Sequence, residues 1–299
     1  MNLLEIKRDL NKSALALLLY VLSVQILAVL LVLLLPLTKI PLLSDQYICM
    51  VISVIISYCL LDNIFPKETV TEPSPEKPSF SILSFLHYFM LFQAAQWIGG
   101  IINIPIITLF TKLGLNLSFS EEAARGGSLT NAPMLFYTIL VAPLMEELVF
   151  RGIFYRRFRS YGKYFAAFYT AFFFALMHSN FLQFAPAFSM GMILFFIRDR
   201  YGLPYSILLH FSNNLLAIVV NNLSQDSTLI QGIYGGFLLA GMFYGIYFVL
   251  KNRTHFAEDY QYEKEHSLFF SPLMGGYRSD GGASLCQPLC PHGCRSDVK

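Results

Sequence analysis

Val141-Ala142-Pro143-Leu144-Met145-Glu146-Glu147-Leu148-Val149-Phe150-Arg151-Gly152-Ile153 sets three charges inside an apolar run spanning residues 134–155. About 20 such residues are what an α-helix needs to cross the hydrocarbon layer of a bilayer. A charged side chain at that depth costs about 3 kcal/mol even on lenient insertion scales, so it faces a protein interior or wet cavity and has work there. Helical spacing gives the three charges separate duties. Glu147 and Arg151 are four apart with the acid on the N-terminal side, the better order for an ion pair on one face. Glu146 is rotated about 100° away and escapes that pair. Arg151 alone has a bland account, since arginine snorkels to the interface. Glu146, about 15 Å along the axis from Arg156, has none.

Outward from this stretch, the 299-residue chain is 55% hydrophobic and only 13% charged, with a mean hydropathy of +0.54. That balance predicts an all-α, polytopic membrane helix bundle. The net charge of +2, with no basic stripe bearing interleaved aromatics, gives no reason to expect nucleic acid as a partner. Cys49 and Cys59 share one apolar segment, and Cys286, Cys290 and Cys294 lie in the tail, so no disulfide framework is inferred. The tail pattern Cys286-x-x-x-Cys290-x-His292-x-Cys294 lacks the paired ligand knuckles of structural zinc sites and is read as a polar tail with reducible thiols.

Apolar runs predict eight spans, near 14–37, 47–65, 81–110, 134–155, 164–182, 184–200, 204–222 and 232–250. The first follows Lys7, Arg8 and Lys12 but is too long for a signal peptide and lacks a small-residue cleavage site, so it is read as a retained anchor. Lys7, Arg8, Lys12, Lys67, Lys77, Arg156, Arg157, Arg159, Lys163, Arg198, Arg200, Lys251 and Arg253 fall on one set of sides; Lys39, Lys112 and Arg125 fall on the other. This asymmetry places both termini in the cytoplasm and supports an even number of spans. The expected organisation is a set of N-terminal membrane helices over 1–133, a charged-motif core over 134–222, a last membrane helix over 223–253 and a disordered cytoplasmic tail over 254–299. A Pro-rich cytoplasmic linker at 62–80 and an outer loop at 111–133 carrying Glu121, Glu122 and Arg125 interrupt the first part. Gly99, Gly100 and Pro105 predict a break or interfacial extension in the third span. Gly232, Gly236, Gly241 and Gly245 give the last span small-residue spacing for close helix packing.

Two further patterns lie in the core. Phe174 and His178 share a helix face one turn apart, and so do His210 and Asn214. Asn213 points elsewhere and is assigned to packing or capping. His87 in the third span has no patterned partner and serves as the internal control, a satisfied bundle residue. Counting inward from the basic ends places Glu146, His178, His210 and Asn214 at similar depth in the hydrocarbon layer. A carboxylate to take a proton from water, imidazoles to orient water or bind a metal, and an amide to donate to an oxyanion are the ingredients of amide hydrolysis.

Glu146-Glu147-x-x-x-Arg151, Phe174-x-x-x-His178 and His210-x-x-x-Asn214, in that order on successive membrane helices, resemble the signature of the CAAX-protease and bacteriocin-processing (CPBP, Abi) family of intramembrane proteases. The resemblance covers roughly residues 134–222. It implies Glu146 as the base activating water, His178 as its partner, and His210 with Asn214 as binders of water, metal or oxyanion. Glu147 and Arg151 would support them. Whether such a site is of glutamate type or holds a divalent metal such as zinc stays open, since the short His-Glu-x-x-His element is absent.

The function expected is an intramembrane endopeptidase of the cell membrane, surrounded by lipid and acting on a membrane-associated or lipidated peptide or protein. Roles in bacteriocin self-immunity or peptide maturation both belong to the family it resembles. The alternative is a non-proteolytic transporter or a scaffold that sequesters a peptide, because intramembrane carboxylate–histidine sets also build proton relays. No convincing internal repeat of the transporter kind is present.

Overall fold

The computed structural model describes residues 3–40, 45–65, 77–118, 120, 131–225 and 227–266. The Cys286–Cys294 cluster, Glu121, Glu122, Arg125 and most of the Pro-rich linker lie outside them. The described residues form α1 (Leu3–Leu34), α2 (Gln46–Ile64), α3 (Ile82–Lys112), α4 (Ala132–Tyr161), α5 (Lys163–Met177), α6 (Phe181–Arg200), α7 (Leu203–Ser224) and α8 (Thr228–His266). Polar side chains mark the starts. Asp45 accepts from the backbone N–H groups of Tyr47 and Ile48, Ser81 from that of Ser84, and Asn180 from that of Leu182.

Seven of these helices are long and apolar enough to cross a membrane. α5 is the exception: in place of the expected span at 164–182 stands a helix of only 15 residues, Lys163–Met177. It stops where Ser179 turns into the left-handed region at φ 50° and Asn180 starts α6. The chain is an all-α membrane bundle whose outer faces remain apolar, with Leu15, Leu18, Leu22 and Ile26 of α1 exposed for lipid.

Successive helices run antiparallel, as ion pairs and ring contacts at the two ends show. At one end the corner between α4 and α5 is basic, and each of four basic residues meets an acid from a different helix. Arg156 pairs with Asp62 at 3.9 Å, Arg157 with Asp9, Arg159 with Asp199 at 2.7 Å and Lys163 with Asp259 at 2.8 Å. Tyr161 adds a bond to Asp9 and Tyr155 one to Asp199. At the other end Phe110 stacks on Phe181, and Asn103 donates to the carbonyl of Leu182. The starts of α1, α5 and α7 therefore share an end with the finish of α2, α4, α6 and α8.

Three expectations change. α3 runs unbroken through Gly99, Gly100 and Pro105. Gly99 is instead a contact point: a Cβ there would meet the backbone of Pro186 on α6 at 2.4 Å. In α8 only Gly241 and Gly245 of the four spaced glycines make close packing, against Gln93 and Ala94 of α3; nothing lies within 4 Å of a Cβ built at Gly232 or Gly236. α8 also continues past 253 to His266, so the first part of the expected disordered tail is helical.

Candidate active site

α4 is not a uniform α-helix. Over Phe136–Val141 and again over Leu148–Phe154 the turns are π-helical, so that the N–H of Ala142 bonds to the carbonyl of Tyr137 five residues back. Such turns recur at functional sites. A consequence of the first is legible around Pro143. Five residues after Thr138 stands a proline with no N–H, so the Thr138 carbonyl lacks its π-spaced donor. Asn214 on α7 supplies one, its Nδ2 donating to that carbonyl at 3.1 Å.

Between the two π turns sit the acidic pair. Glu147 is fully buried, and its Oε1 lies 3.1 Å from Nη1 of Arg151 and 3.0 Å from Nδ1 of His210. Arg151 is fully buried too, which removes the snorkelling account. Its Nη2 donates to the carbonyl of Gly191 at 2.9 Å, and its guanidinium lies 4.6 Å from the centre of the Phe174 ring. Gly191 permits this. A Cβ there would sit 3.0 Å from Ala171 and 3.2 Å from Phe174, so the glycine lets α5 and α6 close onto the guanidinium.

Glu146 faces differently, with 19% of its side chain exposed and its Oε2 3.5 Å from Nε2 of His210. His210 thus stands between the two glutamates. A carboxylate only accepts, so the Nδ1 proton of His210 is directed at Glu147. Its Nε2 is left facing Glu146.

His178 is placed by its own helix. Its Nδ1 bonds to the Phe174 carbonyl at 2.9 Å, and its ring lies edge-to-face with Phe174 at 4.9 Å. His210 meets the same Phe174 ring at 5.7 Å. The structure therefore brings Glu146, Glu147, Arg151 and His210 into one polar group, with His178 against the same Phe174 ring. The neighbour of Glu146 is His210 rather than His178, and Asn214 turns its amide to Thr138. Asn213 accepts from Gln96 of α3 at 2.8 Å, and His87 bonds Tyr244 at 2.6 Å, away from the site.

Sequence reasoning missed Gly191, Thr138 and the hub position of Phe174. A proline inside a membrane span carrying an acidic pair was the available signal for Thr138; for Gly191 none existed. Among the described residues, no three His, Cys, Asp or Glu side chains gather as a metal-binding group. His210 and His178 commit Nδ1 to Glu147 and to a backbone carbonyl, an arrangement that fixes each ring and leaves its Nε2 outside that bond.

No curated protein and no solved structure matches the chain. A protein-family model does, over residues 128–216, a stretch that contains all six of Glu146, Glu147, Arg151, His178, His210 and Asn214. Over residues 128–216, the membrane helices that carry this buried polar group are similar to the family described as type II CAAX prenyl endopeptidase Rce1-like.

Proposed function

We propose that the chain is an intramembrane endopeptidase that hydrolyses a peptide bond of a membrane-associated or lipidated substrate, with Glu146 as general base. The observation that carries this is the division of labour between adjacent glutamates. Glu147 is sealed and charge-paired, while Glu146 is partly exposed and faces Nε2 of His210.

A water held by this pair donates one hydrogen to Glu146 and the other to Nε2 of His210, which aims its lone pair outward at a carbonyl carbon. On attack Glu146 takes the proton and the carbonyl oxygen becomes an oxyanion. Asn214 uses one amide hydrogen on Thr138 and retains a second for that oxyanion. His178, half-buried with Nδ1 fixed on Phe174, has Nε2 free of any described partner and delivers a proton to the leaving nitrogen as the C–N bond breaks. Glu147 and Arg151 hold the His210 tautomer. The proton gained by Glu146 restores His178 for the next turnover.

The test is cleavage of prenylated C-terminal peptides and short membrane-anchored peptides by purified wild type, Glu146→Gln and His87→Ala. Glu146→Gln should lose more than about 100-fold in turnover, the size expected of a lost general base, and His87→Ala should stay within about threefold. Comparable losses at both positions, or cleavage retained by Glu146→Gln, would remove the assignment.

A further inference from the structure

α8 is 39 residues long, about 58 Å at the helical rise, nearly twice the ~30 Å hydrocarbon layer. Its early part packs on α3 through Gly241 and Gly245. Its last part, from Lys251 onward, is polar and largely exposed, yet it reaches back to the bundle at the first two residues of α5. Asp259 accepts from Nζ of Lys163 at 2.8 Å and from the Tyr164 hydroxyl at 2.8 Å. Glu263, one turn further, accepts from the backbone N–H of Lys163 at 2.8 Å. Tyr260 packs on the Tyr164 ring.

This contact falls where α5 has least support of its own. α5 begins after Gly162, at φ 130°, with no side-chain cap from its own segment. Helix N-termini leave N–H groups unpaired and favour an anion, and Glu263 provides it from another helix. The far end of α5 bears His178, whose ring nitrogen is bonded only within α5. Where His178 stands relative to Glu146 and His210 is therefore set by where α5 sits.

We propose that the solvated arm of α8 is a positioning element for His178, acting through Asp259 and Glu263 on the start of α5. The inference rests on the protease reading for its catalytic consequence. With the arm docked, α5 is held axially at one end by two carboxylates and laterally by the Gly191–Ala171 contact near its middle. With the arm released, α5 loses its cap and its axial anchor, and the His178 turn is free to drift. Neither Asp259 nor Glu263 touches the reacting atoms.

The experiment uses the full chain in detergent, with Asp259→Asn plus Glu263→Gln, and with Lys163→Asp alone and combined with Asp259→Lys. Two readouts run together: kcat and KM on the cleaved reporter, and hydrogen exchange over residues 172–180. The neutralised arm should lower kcat about tenfold at unchanged KM and speed exchange at 172–180 by a similar factor, since small misplacements of a reacting group cost this much or more. Lys163→Asp should do the same, and adding Asp259→Lys should recover most of both losses. Wild-type kcat and exchange in the neutralised arm, or lost activity with unchanged exchange at 172–180, would overturn the proposal. Should the wild-type chain cleave nothing, the protease reading falls, and exchange at 172–180 alone decides whether the arm positions α5.

Discussion

Arg151 is the residue on which the site's charge balance turns. It is fully buried, and its guanidinium touches a carboxylate, a backbone carbonyl and an aromatic face at once. Removing it leaves Glu147 as an unpaired buried charge, which costs about 3–5 kcal/mol. Arg151→Met should therefore fail to fold stably, as read by thermal unfolding in detergent, whereas a pair that merely decorated a helix end would tolerate the change. Lysine is not an adequate replacement, because one ammonium cannot span Glu147, Gly191 and the Phe174 ring together. Spacing alone showed that Glu147 and Arg151 share a face and that Glu146 does not. It did not show which histidine Glu146 would meet, because that depends on how α7 and α5 are set against α4, and neither periodicity nor residue type encodes the offset between helices.

Among the elements, α4 departs furthest from what its sequence announced. Hydropathy identifies a membrane span but carries no mark of a π turn, which at Pro143 leaves the Thr138 carbonyl to an amide on another helix. Asn214→Leu should strip the Thr138 carbonyl of its donor and destabilise the protein by about 1–3 kcal/mol, beyond any loss of activity. Pro143→Ala in the same background returns an N–H to the segment and should recover part of that stability, measured by the same unfolding assay. α8 offers a second contrast. Gly241→Leu, driven into Gln93 and Met90, should cost about 1–3 kcal/mol by overpacking, and Gly232→Ala, in open space, about 0.5 kcal/mol or less. The spacing motif named four glycines; only the structure separates the two that touch α3.

At the scale of the whole molecule, the apolar runs located the helices well because a bilayer imposes length and hydrophobicity on whatever crosses it. α5 was overestimated for the same reason: its apolar sequence runs on through the turn at His178 and Ser179. The distribution of basic residues, read as a topology signal, has a second expression in the four ion pairs of the α4–α5 corner. Those pairs put the start of α1 and the far part of α8 at one end of the bundle. With all five native cysteines replaced, single cysteines at Lys7 and Arg253 should label from the same side of the membrane with an impermeant reagent. The basic bias predicts that side to be cytoplasmic, so both should react only after permeabilisation. Labelling from opposite sides would break the antiparallel arrangement.

The same corner also bears on how the chain comes together as it is made. Asp9 and Asp62 precede their partners Arg157 and Arg156 in the sequence, whereas Asp199 and Asp259 follow Arg159 and Lys163. Since chains fold from the N-terminus during synthesis, two cations find acids already waiting when α4 emerges. The other two stay solvated until α6 and then the last helix arrive, so the His178 helix receives its anchor as one of the final acts of assembly.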